Sequence, residues 1–297
     1  MGHMADKPYE GLATTFDTAA VKYEQARPGY PTQLFDDLET LSRQSAAAGR
    51  VLEIGAGTGQ ATRGLLSRGW QVVALEPGRE LARVARRVLA GLGEVDVVVA
   101  PFEEWPDEGS SFDLVLAATS WHWLDQAVAY PKAAALLRPG GHLAIVTTEH
   151  VLPSVGGDSF FREVEQAYEV VGMSNGQGGP QPPESVSARD AAAIEASGWF
   201  GPAVVRRYLW HHSYSAQEYL ALLATYSGHI AASPQQRERL YADIRRRIEA
   251  RPSASVRKHY LTILQVAPVR VWSRVTVARA PQVPSGTVAG AAESTGA

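Results

Sequence analysis

The 297-residue chain contains no cysteine. Disulfides, thiolate metal centres and cysteine nucleophiles are thereby excluded. It also lacks an excess of positive charge: 28 Lys and Arg stand against 31 Asp and Glu, for a net charge of −3 and a pI near 6.3. A surface built to hold nucleic acid needs clustered Lys and Arg. Nucleic acid is therefore not an expected partner, although a local basic pocket for an acidic substrate stays open. No apolar run approaches the roughly 18 residues needed to span a bilayer, so no membrane partner is expected. The start lacks the charged-then-apolar pattern of a secretory signal, and a cytoplasmic location is the expectation. Met1-Gly2-His3-Met4 has the character of a cloning scar. There is no internal repeat and no evident catalytic triad.

What the chain does have is a glycine turn in a revealing place. Val51, Leu52 and Ile54 form an apolar run suited to a buried parallel strand. Gly55, Gly57 and Gly59 follow, with Ala56 between the first two. A turn without Cβ atoms can be tight and can approach a ligand closely. Ala61, Leu65 and Leu66 then fall at helical spacing. Such a loop alone serves many nucleotide sites. A second acid strengthens it: Gln71 to Leu75 reads as another buried strand, ending at Glu76-Pro77. An acid about 20 residues beyond the loop commonly takes ribose hydroxyls. The nicotinamide fingerprint G-x-G-x-x-G fits less well, since the third glycine, Gly59, comes one residue early and position 60 is Gln60.

The periodicities predict helices over 16–24 and 31–42, then strands at 50–54, 71–75, 95–99, 112–117 and 142–147 with helices at 59–68, 79–90 and 126–137 between them. Alternating strands and helices imply a parallel sheet covered on both faces. The pattern then changes. A helix is expected over 159–172, and a Gly/Pro-rich loop over 174–187 that is mobile or lid-like. A short helix at 188–197, a strand at 203–212, helices at 216–225 and 235–250, and a final strand at 256–266 follow. This divides the chain into residues 1–15, a tag and loosely ordered start; 16–150, a Rossmann-like core; 151–277, a substrate-side region; and 278–297, a disordered tail.

The blocks "VLEIGAGTG", "VVALEPG", "SFDLVLAATSWHW" and "LLRPGGHLAIV", in that order and spacing, resemble the class I S-adenosylmethionine-dependent methyltransferases. The resemblance is nearest to the small-molecule branch with type 11 and trans-aconitate-type enzymes, and is strong over about residues 14–150. It implies an α/β fold: a Rossmann-like, seven-stranded, mostly parallel sheet with helices on both faces and a helical cap inserted in the C-terminal part, formed by 216–250. It implies S-adenosyl-L-methionine as cofactor, S-adenosyl-L-homocysteine as product, and a small-molecule partner. No metal is expected. A monomer or a homodimer fits.

The resemblance also implies site residues. Gly55, Ala56 and Gly57 would lie against the cofactor's amino-acid part, with Glu53 orienting its ammonium. Glu76, beside Pro77, would accept from both ribose hydroxyls. Phe102 and Glu103 would flank the adenine. In the block "FDTAAVKYEQARPGYP", Tyr23 and Arg27 would close over the amino-acid end, Arg27 as a bidentate fork. Thr119, Trp121 and Trp123 come from the "TSWHW" segment; read as extended, Trp121 and Trp123 point opposite ways, one toward cofactor or substrate and the other inward. Thr119 and Trp121 are assigned to the cofactor, Trp123, Tyr168 and Tyr226 to the substrate.

Methyl transfer asks chiefly for in-line positioning. A base is needed only where the nucleophile must lose a proton. His122 is the leading candidate, with a histidine that merely shapes the cofactor pocket as the alternative reading. His150, past the fifth strand, is the second candidate. His211 and His212 are adjacent, so on a strand they face opposite sides and cannot share an ion. The same fold binding the same cofactor but catalysing cyclisation or rearrangement without methyl transfer is the alternative function.

Overall fold

The computed structural model describes residues 20–42, 49–106, 111–174, 176 and 179–270. The expectations for 1–15, for the tail 278–297 and for part of the 174–187 loop lie outside the described residues. Seven strands form one sheet in the order β3-β2-β1-β4-β5-β7-β6. These are β1 (Arg50–Ile54), β2 (Gln71–Leu75), β3 (Val95–Val98), β4 (Phe112–Ala118), β5 (Leu137–Val151), β6 (Val204–Ser215) and β7 (Ser255–Pro268). The first five run parallel, and β7 is antiparallel to both its neighbours. The expected seven-stranded, mostly parallel α/β sheet is the fold.

Helix α1 (Ala20–Ala26) and α2 (Thr32–Ser42) precede the sheet; α3 (Gln60–Leu66), α4 (Arg79–Leu89) and α5 (Gln126–Leu136) connect the parallel strands. Two cores lie on opposite faces. One joins Leu34, Leu38 and Leu65 to Val51 and Leu114; the other joins Leu52, Phe112 and Val115 to Ala133 and Leu136. Strands buried on both faces need the continuous apolar runs read in the sequence.

Beyond β5 come α6 (Phe160–Glu163), α7 (Glu165–Val170) and α8 (Arg189–Ala196); between β6 and β7 come α9 (Ala216–Leu223), α10 (Ser227–Ala231) and α11 (Pro234–Glu249). The single helix expected over 159–172 is broken at Val164, where the Ala167 N–H bonds the Val164 carbonyl three residues back instead of four. Helices α9 and α11 each begin with a full capping box, at Ser215/Glu218 and Ser233/Gln236. Leu220, Leu240, Ile244 and Ile248 pack with Phe160, Phe161, Val256 and Tyr260 into a third core. This cap stands over the carboxyl ends of β1 and β4, where ligands bind in open α/β sheets. No described helix is long and apolar enough to cross a membrane.

Candidate active site

The turn after β1 is held by the next strand. The N–H groups of Gly55 and Ala56 both donate to the Leu75 carbonyl, at 2.8 and 3.0 Å. Gly55 and Gly57 have φ of +69° and +61°, a region that disfavours any side chain. A Cβ at Gly55 would lie 2.6 Å from Ser120 Cβ, whereas one at Gly57 would project into open space. Glu76 is buried, and its two carboxylate oxygens accept the Gly57 and Gly78 N–H groups, each at 2.8 Å. These bonds fix the carboxylate at the wall of a cavity of about 430 Å³.

That cavity is lined by Tyr23, Arg27, Tyr30, Gly55, Gly57, Glu76, Leu81, Thr119, His122, Trp123, His150 and Tyr226, among others. Arg27 lies 5.0 Å from the ring centre of Tyr23 and 4.5 Å from that of Tyr226. Its Nε donates to Thr225 Oγ1 at 2.9 Å. The first helix is thus tied to the cap directly above the glycine turn. Thr119 adopts φ +60° and meets the Tyr30 hydroxyl at 2.7 Å. A threonine in that backbone region is strained. The strain turns the chain sharply at the tip of β4 and brings Ser120 under Gly55, where its hydroxyl donates to the Ile54 carbonyl.

Several of the expected contact residues lie off the cavity lining. Glu53 is 1% exposed and does not reach the cavity; it accepts the Thr62 hydroxyl at 2.7 Å, and burial pushes its pKa up to about 7. Ala56 and Pro77 flank this wall without being among its lining residues. Phe102 is buried in the second core, because the chain folds back from Pro101 with the Trp105 N–H on the Pro101 carbonyl. Glu103 instead accepts the Asp125 N–H at 3.2 Å. Trp121 is also core: residues 121–123 wind into a 3₁₀ turn, not an extended segment, and the Trp121 ring packs 5.0 Å from Tyr130. The same turn puts both His122 and Trp123 on the smaller cavity, so Trp123 borders the space expected for cofactor. Burial lowers the His122 pKa, which keeps the ring neutral at physiological pH.

A second cavity of about 650 Å³ opens under the cap, with Tyr168, Tyr226 and His150 among its walls. His150 and Tyr226 line both cavities, which are therefore neighbours. The Tyr168 hydroxyl is bonded to His229 Nε2 at 3.2 Å. His150 packs edge-on against Phe161 with ring centres 4.6 Å apart; its Nε2 is buried without a partner, and burial pushes its pKa down to about 2. It is a hydrogen-bonding ring that stays neutral, not a titrating one. Sequence reasoning missed Lys258, which also lines this cavity. The signal was the alternation of β7: Val256, Tyr260, Thr262 and Leu264 share one buried face, and Lys258 falls among them. Tyr30, Leu81, Trp210 and Tyr260 on the smaller cavity were missed too. Among the described residues no three His, Asp or Glu side chains gather as a metal site.

A family described as a methyltransferase domain matches residues 52–145. The likeness to that methyltransferase family lies within residues 52–145. An uncharacterized methyltransferase of Mycobacterium tuberculosis is 42% identical over 135 residues, covering 46% of this chain and 52% of that protein. One of Schizosaccharomyces pombe is 30% identical over 136 residues, covering 46% of this chain and 53% of its own. The chain thus spans about half the length of the curated relatives it matches. A solved structure from Anaeromyxobacter dehalogenans, assigned as a type II methyltransferase, superposes with a TM-score of 0.54 at 21% identity, over 82% of this chain and 97% of that one. That likeness is one of fold. The matched segment thus contributes the glycine turn, Glu76 and the Thr119–Trp123 segment; Tyr23 comes from α1 with Arg27 just after it, His150 from β5, Lys258 and Tyr260 from β7, and Tyr219 and Tyr226 from the cap.

Proposed function

We propose that the protein transfers a methyl group from S-adenosylmethionine in the smaller cavity to a small-molecule acceptor in the larger one. The observation that carries this reading is the junction: the cavity at the glycine turn and the cavity under the cap share His150 and Tyr226 as a common wall. Adjacent cavities can hold a donor and an acceptor close together, and close, aligned approach is the main requirement of methyl transfer.

The residues present fit the cofactor. Gly57 leaves open space where any other residue would project a Cβ, and Glu76 is oriented by two backbone amides at the same wall. Glu76 would take the ribose hydroxyls, and Arg27 with Tyr23 would close the amino-acid end. When bound, the cofactor supplies an electrophilic methyl on a sulfonium. Trp123, Tyr226 and Tyr260 offer aromatic faces to a cation. His122, neutral and at the cavity wall, can accept a proton from a hydroxyl or amine acceptor. His150 can accept a hydrogen bond that orients the acceptor at the junction.

Calorimetry with S-adenosylmethionine, S-adenosylhomocysteine and NAD tests the cofactor assignment. Binding of the two adenosyl ligands without NAD is the expected result; binding of NAD alone would overturn it. A mass gain of one methyl on an acceptor would establish transfer, whereas a rearranged product of unchanged mass would replace it with the cyclisation reading.

A further inference from the structure

Lys258 places a buried amine on the larger cavity with no carboxylate paired to it among the described residues. It lies on β7 between Val256 and Tyr260, on the face the cap covers, and is 3% exposed. Its Nζ sits 5.8, 5.6 and 5.4 Å from the ring centres of Phe161, Tyr226 and Tyr260. Aromatic faces recover part of an ammonium's lost hydration. They leave its charge and its three donors unmatched. Among the described residues no carboxylate comes within ion-pair reach of Nζ, and the charge that bears on it is Arg27, of the same sign. Burial and that neighbour push its pKa down to about 7.

A buried charge is ordinarily retained only with a partner. The acids on the same cavity do not serve. Glu149 faces Arg189 at 3.5 Å, and Glu165 is half-exposed. What stands near Lys258 is the His150 ring, whose Nε2 is also without a partner, packed on the same Phe161. The remaining walls include Val164, Tyr168, Tyr219 and Leu223. The Lys258 amine and the His150 acceptor nitrogen thus both border Phe161, on a chamber whose wall combines aromatic rings with polar side chains such as Ser185 and Gln181.

The geometry points to an organic acid as the molecule this chamber receives: a carboxylate held by Lys258, on an apolar or aromatic body packed against Phe161, Tyr168, Tyr219 and Tyr226. Calling that molecule the methyl acceptor rests on the proposed methyl-transfer reading; the anion site itself does not. An amine would meet like charge, and a neutral body would leave Lys258 unpaired.

The test uses the full chain and three probes of one shape: cinnamate, cinnamamide and cinnamylamine. Each is titrated by calorimetry with and without S-adenosylhomocysteine, on the wild type and on Lys258→Met. The wild type should hold cinnamate roughly tenfold or more tightly than cinnamamide, the margin of a charge-assisted pair. Lys258→Met should erase that margin while S-adenosylhomocysteine affinity is kept. Should the methionine variant lose the adenosyl ligand as well, Lys258→Gln reads the same margin. Equal binding of acid and amide, tightest binding of the amine, survival of the margin without Lys258, or failure of all three probes to bind would each overturn the assignment. If the margin is present but S-adenosylhomocysteine does not bind, the acid site stands and the methyl-transfer reading falls.

Discussion

The two cavities are built by opposite means. The smaller is backbone architecture: glycine turns at the ends of parallel strands, with one carboxylate pinned by the amides of Gly57 and Gly78. The larger is side-chain architecture, in which Phe161, Tyr168, Tyr219 and Tyr226 converge from helices far apart in sequence around Lys258. Backbone sites leave little room for variation, because the positive φ and close approach admit few residues. Side-chain sites can be rebuilt one residue at a time. One half of the molecule thus holds what stays constant in the chemistry, and the other holds what distinguishes this protein.

That contrast can be broken at several points. The largest effect is expected at Trp121, which the fold buries in the core. Trp121→Ala should cost about 3–5 kcal/mol of stability by opening a cavity, read by denaturant unfolding. A stable variant with lost cofactor affinity would return Trp121 to the binding wall. Next comes Glu53, whose pKa is raised from 4.5 to about 7. The unfolded carboxyl gives up its proton first, so the stability this group confers is fully present below pH 4.5 and is lost as pH rises through about 7. The shift corresponds to about 3 kcal/mol. Glu53→Gln should flatten the stability profile across that window; an unchanged slope would mean Glu53 is ionised in the fold.

Glu76→Ala removes the carboxylate that orders the turn. Loss of charged hydrogen bonds worth roughly 2 kcal/mol should weaken S-adenosylhomocysteine binding, by calorimetry, by more than it shifts the thermal midpoint. Unchanged affinity would place the ribose elsewhere. The smallest stability effect belongs to Trp123, which is 37% exposed. Trp123→Ala should cost less than about 1 kcal/mol while lowering turnover or ligand affinity. Paired with Trp121→Ala, it separates a wall residue from a core residue two positions away.

The sequence was informative where structure is local. Strands β1 to β5, the glycine turn and Glu76 could all be read from apolar runs, glycine spacing and the acid at a strand tip. The errors arose where local geometry was decided by packing. Trp121 and Trp123 do not alternate as on a strand, because Ser120 to Leu124 wind into a 3₁₀ turn. Phe102 was read as a pocket wall, but the turn at Pro101–Trp105 folds it beneath α5, near Lys132. Lys258 was missed because its cage comes from α6, the α9–α10 junction and its own strand. No local pattern brings Phe161, Tyr226 and Tyr260 together; the antiparallel register of β5 with β7 and the cap do.

The strap formed by Arg27 has a consequence for the order of events. Its guanidinium bonds Thr225, at the end of α9, and stacks on Tyr226, which borders both cavities. A ligand that orders this arginine also stiffens the roof over the neighbouring chamber. The second ligand then meets a surface whose conformational entropy has already been reduced. Thermodynamic reciprocity requires the assistance to run equally in both directions. On the proposed methyl-transfer reading, any assistance that S-adenosylmethionine gives the acceptor through this strap is returned by the same factor.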